Sequence, residues 1–259
     1  MTQPPLNGVV LLTGASSGIG EAMARQLTEA RVLVLVARRR ERLEVLAAQL
    51  PNAELRVCDL TDLQACERLI AGVEADHGAV DVLINNAGMG DIGLFEQLDP
   101  DKLVRMLDLN VRALTWLSRR VLPGMVERRR GGILNLSSGF GLTWMPVASA
   151  YGASKAYVSS FSEALRTELK GTGVVVTQSC PGPVATEFED KAGNPTGMQV
   201  PGLLLISAEA CARQSLGAFR AGRALTIPGF VAWAVISAGR LSPSWLLRLI
   251  YWPLGGLLR

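Results

Sequence analysis

The sequence predicts an α/β protein built on a doubly wound parallel sheet, the Rossmann fold. Short apolar runs such as VVLLT at 9–13, VLVLVA at 32–37 and VVVTQSC at 174–180 lack polar alternation. Strands of that kind are buried on both faces, as in parallel sheets covered by helices. The runs alternate with longer helical stretches, the order of βαβ units joined by right-handed crossovers. A glycine-rich turn joins the first strand to the first helix, where such sheets bind ligands beyond their strand ends.

Taken in order, 9–13 reads as a strand, 19–30 as a helix and 32–37 as a second strand. A helix over 40–50 stops at Pro51, and LRVCDL at 55–60 is a third strand. A helix over 62–77 leads to VDVLINN, a fourth strand at 80–86. Two helical stretches follow, 99–107 and 109–128, then GGILNLSS at 131–138 as a fifth strand. The chain continues with a long helix over 150–170, a sixth strand at 174–180, a helix over 207–221 and a short strand near 224–227. Residues 1–228 form one catalytic-type domain in this scheme, and 229–259 a hydrophobic, basic extension.

Composition narrows the function. The 259 residues are 49% hydrophobic and 19% charged, which excludes a disordered chain. Four separated cysteines form no CxxC pair, which argues against a disulfide scaffold and suits a reducing cytosol. One histidine makes a His-based metal site or a Ser-His-Asp triad a poor explanation, so no metal is expected. A net charge of +3 gives no reason to expect nucleic acid. The N-terminal MTQPPLNGVVLLTG has no basic leader, so no signal peptide is expected and the location reads as cytoplasmic.

In the glycine turn, Gly14, Gly18 and Gly20 permit close backbone approach to a pyrophosphate. The following helix N-terminus supplies N–H donors. After Ala37 stand Arg38, Arg39 and Arg40 and no carboxylate. Guanidinium groups there suit the 2′-phosphate of NADP; an acid would suit the ribose hydroxyl of NAD. Ser16 and Ser17 are placed to add phosphate hydrogen bonds. Tyr151 and Lys155, four apart on a helix, share a face. A nearby ammonium and a cationic nicotinamide ring are expected to favour the phenolate and lower the tyrosine pKa.

These segments together resemble the classical short-chain dehydrogenase/reductase family. The likeness rests on TGASSGIG at 13–20, Cys58-Asp59-Leu60, Asn85-Asn86-Ala87-Gly88, Asn110, Ser138, Tyr151 with Lys155, and Pro181-Gly182 with Thr186. It covers about residues 7–227 and implies a catalytic tetrad of Asn110, Ser138, Tyr151 and Lys155. It also implies cofactor contacts from Gly14, Ser16, Ser17, Gly18, Ile19, Gly20, Arg38 and Arg39 around the phosphates. Asp59, Leu60, Asn86, Ala87 and Gly88 serve the adenosine side; Tyr151, Lys155, Pro181, Gly182, Val184 and Thr186 serve the nicotinamide side. The substrate lining it implies, Met89, Gly90, Phe140, Trp144, Met145, Val147 and 187–204, is mainly apolar, with EFEDKAGNPTGMQVPG as a lid. The expected reaction is NADP-dependent interconversion of an apolar ketone or aldehyde and its alcohol. A carrier-bound acyl ketoreductase and a non-catalytic NADP sensor stand as alternatives. Family practice places a homodimer interface on the helices at 109–128 and 150–170.

The tail departs from the plain family pattern and resembles one seen in a bacterial subgroup distantly similar to hydroxysteroid dehydrogenases. After Glu209 there is no acidic residue but six arginines, giving +6 against about −3 for residues 1–209. Trp233, Trp245 and Trp252 also lie there. Arginine with tryptophan on apolar segments is the composition of an interfacial helix. A cap packed on its own domain, or on a second subunit, remains open alongside peripheral membrane contact.

Overall fold

The computed structural model describes residues 3–188, 192–193 and 201–257. Strands β1 (Val9–Thr13), β2 (Val32–Ala37), β3 (Ala53–Val57), β4 (Val82–Asn85), β5 (Gly131–Leu136) and β6 (Val174–Ser179) follow in chain order. Two-residue strands β7 (Val184–Ala185), β8 (Ile206–Ser207) and β9 (Leu225–Thr226) come after them. A seven-stranded sheet runs β3-β2-β1-β4-β5-β6-β9, and all its pairings are parallel. The strand order reverses between β1 and β4, which opens a crevice at their carboxyl ends.

Helices α1 (Gly18–Ala24), α2 (Arg40–Ala47), α3 (Leu63–His77), α4 (Pro100–Leu107), α5 (Leu114–Glu127) and α6 (Ser149–Glu168) fill the crossovers. Then come α7 (Ala208–Arg220), α8 (Phe230–Leu241) and α9 (Ser244–Leu257). Alternate strand residues feed two cores. Val10, Leu12, Leu33 and Leu35 pack with Met23, Leu216 and Phe219 on one face. Val9, Leu11, Val34 and Val36 pack with Ile70, Val73, Leu117 and Val121 on the other. Both faces are therefore covered, as the unbroken apolar strands require.

The departures from the sequence reading have local causes. α1 ends at Ala24 instead of 30, because the chain tightens to i→i+3 bonds: Gln26 N donates to Met23 O and Leu27 N to Ala24 O. β3 is an edge strand, AELRV, shifted to 53–57 and only half-buried, so its apolar signal is weak. The two helical stretches around 108 are joined by a π-helical turn, Asp108–Ala113. The pair β7 and β8 is too short to leave a sequence pattern.

Candidate active site

The glycine turn is held by packing against β4. The Thr13 hydroxyl donates to Ile84 O at 3.1 Å and accepts from the backbone N–H groups of Asn86 and Ala87 at 3.0 Å each. The Asn86 amide donates to Thr13 O at 2.9 Å and Gly14 O at 3.2 Å. A Cβ on Gly20 would collide with Gly14 O, and one on Gly14, at φ +68, would lie 2.8 Å from Ala87 Cα. Gly18, at φ +57, lies under the Thr186 methyl, with room for no more than a 3.0 Å approach. Thr186 thus stands over the start of α1, while Ile19 packs on the core behind it. Sequence reading missed Thr13 as the organiser of this turn, although it opens the TGASSGIG motif.

At the end of β2 the three arginines take different places. Arg39 donates to Ser16 Oγ at 3.0 Å and to Ser17 Oγ at 2.7 Å. It also pairs with Glu187 at 3.2 Å, and Arg42 pairs with the other oxygen of the same carboxylate at 2.5 Å. Arg40 lies along α2 with Glu44, and Arg38 is exposed. Burial works against charge on Asp59, but donors from Thr61, with Arg38 and Arg105 nearby, hold its carboxyl below the usual range. Leu60 beside it is buried. Arg42 and Glu187 had no cofactor signal in the sequence; only the folded chain brings them together.

The predicted tetrad residues converge. Ser138 follows β5 and caps a short 3₁₀ turn, Gly139–Gly141. Its hydroxyl lies close enough to that of Tyr151, which is buried at 5% exposure, to lower the tyrosine pKa. Tyr151 lies one turn from Lys155 on α6, and Nζ sits 6.0 Å from the ring centroid. Nζ donates to Leu136 O at 2.9 Å. Gly88 is the neighbour that lets it approach: a Cβ there would lie 3.3 Å from Nζ and 3.4 Å from Asn110 Oδ1. Asn110, in the π-helical turn, accepts from Met89 N at 2.9 Å and donates to Met89 O at 2.8 Å and Ser154 Oγ at 3.1 Å. π-Helical turns recur at functional sites because they re-aim one side chain out of register. Ser137 points away, as strand alternation demands, and donates to Lys155 O at 2.8 Å.

Burial dominates the electrostatics of Tyr151 and Lys155. Burial pushes the Tyr151 hydroxyl up to about 12, and the Ser138 hydroxyl opposes it only in part. The ammonium of Lys155 is held by Leu136, and its own pKa is lowered by burial to about 8. Among the protein's own groups, desolvation therefore dominates at Tyr151.

Aromatic rings surround the tyrosine. Phe140 lies 6.1 Å away edge-on and Phe188 5.7 Å away, while Gly90 leaves space for the Phe188 ring. Val147 holds φ +63, a strained conformation for a β-branched residue, and its carbonyl accepts from Gly93 N. Pro181 O accepts from Gly139 N, which ties the loop after β6 to the loop after β5. Val184 is buried in β7. Much of the expected lid, residues 189–191 and 194–200, lies outside the described residues. Cys180 is buried, its thiol pushed up to about 11 by desolvation, consistent with packing.

A family model described as short chain dehydrogenase matches residues 8–196. The chain belongs to the short-chain dehydrogenase family. It is 40% identical over 185 residues to the NADP-dependent 3-hydroxy acid dehydrogenase YdfG of Salmonella typhi, covering 70% of this chain and 74% of that protein. A short-chain dehydrogenase from Sphingobium yanoikuyae, solved in complex with NADPH, superposes with a TM-score of 0.79 at 32% identity, covering 90% of this chain and 93% of that one. The bulky-bulky ketone specific alcohol dehydrogenase from Comamonas testosteroni gives 0.75 at 28% identity, covering 93% of both. The protein is accordingly an oxidoreductase of the short-chain dehydrogenase family.

Proposed function

We propose that this oxidoreductase uses NADP(H) to interconvert an apolar ketone or aldehyde and its alcohol, with Tyr151 as general acid and base. The observation that carries the reading is the meeting of Ser138, Tyr151 and Lys155 at the carboxyl end of β5. The cofactor assignment is supported by Arg39. Its guanidinium holds two serine hydroxyls and, with Arg42, an anion, the Glu187 carboxylate. That donor set suits a ribose 2′-phosphate, and no acid at 37–40 opposes one. Gly14, Ser16, Ser17, Gly18, Ile19 and Gly20 would take the pyrophosphate side. Arg38, Asp59, Leu60, Asn86, Ala87 and Gly88 would take the adenosine side, and Pro181, Gly182, Val184 and Thr186 the nicotinamide side.

The bound cofactor supplies or accepts the hydride; the protein supplies position and the proton. Ser138 orients the substrate oxygen by a hydrogen bond. Tyr151, protonated at neutral pH, donates its proton to that oxygen as charge develops on it. In the oxidative direction the Tyr151 phenolate oxygen takes the proton back from the alcohol. Lys155, with a pKa of about 8, is mostly charged at pH 7 and stabilises the phenolate left behind. Asn110 positions the Met89 backbone and Ser154 beside the lysine.

Phe140, Phe188 and the half-exposed Trp144 support an apolar substrate. The stacked Tyr157 and Phe161 on α6, with Tyr157 40% exposed, support a homodimer through α5 and α6. The location we propose is cytoplasmic. Rates of NADPH and NADH consumption, followed in parallel over apolar ketones and aldehydes, test the proposal. Faster turnover with NADPH is expected. NADPH binding without turnover on any of them, or preference for NADH, would overturn it.

A further inference from the structure

The C-terminal helices carry an unusual surface. α8 turns Ala232 and Ile236 inward, against Gly182 and Gly139 respectively. One helical face away, Phe230, Trp233 and Leu241 are 80%, 50% and 84% exposed. α9 repeats the pattern. Leu247 is buried and Tyr251 packs on Trp144 with ring centroids 5.1 Å apart. Trp245, Leu249 and Trp252, at i, i+4 and i+7, form the outer stripe at 65%, 67% and 85% exposure, with Arg248 among them. An ordinary surface helix turns polar residues outward. These two are apolar on both sides.

Charge adds a second observation. From residue 222 onward the only ionisable side chains besides Tyr251 are Arg223, Arg240, Arg248 and Arg259. Arg223, Arg240 and Arg248 are exposed. A surface joining tryptophans to cations, with no acid in its own segment, complements an anionic lipid surface.

Spanning is a poor fit. No single helix among the described residues is long and apolar enough, and the pair is bent by 112°. Straightening it would strip Ile236 from Gly139 and Tyr251 from Trp144. The inner faces pack on Gly139, Gly182 and Trp144, so only the outer faces are available to lipid.

We infer that the outer faces of α8 and α9 form an interfacial docking surface for anionic bilayers. Trp245, Leu249 and Trp252 insert and the arginines meet the headgroups. The inner faces pack on Gly139, next to Ser138, and on Gly182, in the loops after β5 and β6. Docking therefore brings the substrate mouth to the membrane, and the substrate is a ketone or alcohol dissolved in lipid. This last step rests on the function proposed above.

The test uses the full chain with phosphatidylcholine vesicles, with and without phosphatidylglycerol, at low and high salt. Co-sedimentation and the tryptophan emission wavelength report docking. Binding to the anionic vesicles, weakened by salt and accompanied by a blue shift, is expected. The triple variant W245S, L249S, W252S should lose roughly a hundred-fold or more in partitioning. R248E should weaken binding to anionic vesicles and not to neutral ones. Reduction of a water-soluble ketone should be unchanged in these variants, which separates failure of docking from failure of the proposed chemistry. Absence of vesicle binding by the wild type would overturn the inference. So would a concentration-dependent dimer that the triple variant abolishes.

Discussion

Lys155→Met should make the protein more stable at neutral pH while it disables catalysis. Burial lowers the Lys155 pKa from 10.5 to about 8. At pH 7 the chain must keep a charge where it is poorly solvated, a penalty of about 3 kcal/mol for a shift of that size. Methionine removes the charge and nearly preserves the volume. It also leaves Leu136 O without its 2.9 Å donor, which costs about 1 kcal/mol. The net gain is about 2 kcal/mol, or roughly 4–8 °C in Tm for a chain of this size. Between pH 8 and 10.5 the unfolded chain binds more protons at this site than the folded one, so this site makes wild-type stability rise with pH there. At pH 10 only about 1 kcal/mol of penalty remains, and the lost hydrogen bond cancels it. Urea unfolding of both proteins at pH 7 and pH 10 measures the difference. A variant less stable than wild type at pH 7, or a gain that does not shrink by pH 10, would refute the reasoning.

Arg39→Ala should raise KM for NADPH by about 10–100-fold and leave that for NADH nearly unchanged, since it removes charge-assisted bonds to one phosphate. The reductive kcat should fall above about pH 8, as Lys155 loses the charge that stabilises the Tyr151 phenolate. A pH–rate profile flat through pH 9 would contradict that role. Gly20→Ala should lower Tm and weaken NADPH binding together, because its Cβ would collide with Gly14 O inside the turn; calorimetry and a binding titration check both. Val147→Asn should raise Tm by about 2–4 °C, since asparagine tolerates the φ +63 backbone at a cost about 1 kcal/mol lower.

Central strands were plain in the sequence because burial on both faces leaves unbroken apolar runs. β1 and β2 begin and end where VVLLT and VLVLVA do. β3 was misplaced because an edge strand with Glu54 and Arg56 carries no such run. The ends of α1 and the π-helical turn at 108–113 are set by packing around Leu27 and Asn110, which no local periodicity reports. The motif residues Ser138, Tyr151, Lys155 and the glycines were legible one by one, and the fold brings them to the carboxyl end of the sheet. What the motifs could not convey was environment. The tyrosine is pushed up by burial, and the arginine that engages the serines is Arg39, with Arg42 and the distant Glu187 completing the cluster. The tail's composition signalled two possible uses, and only the fold separates its buried face from its exposed one.

The most direct test of the proposed chemistry is single-turnover hydride transfer from pre-bound NADPH to an apolar ketone, wild type against Tyr151→Phe. Loss of a single hydroxyl should leave NADPH binding intact and slow transfer by about 10²–10⁴-fold. Transfer at the wild-type rate in the variant, with NADPH bound equally well, would contradict a proton passing through Tyr151.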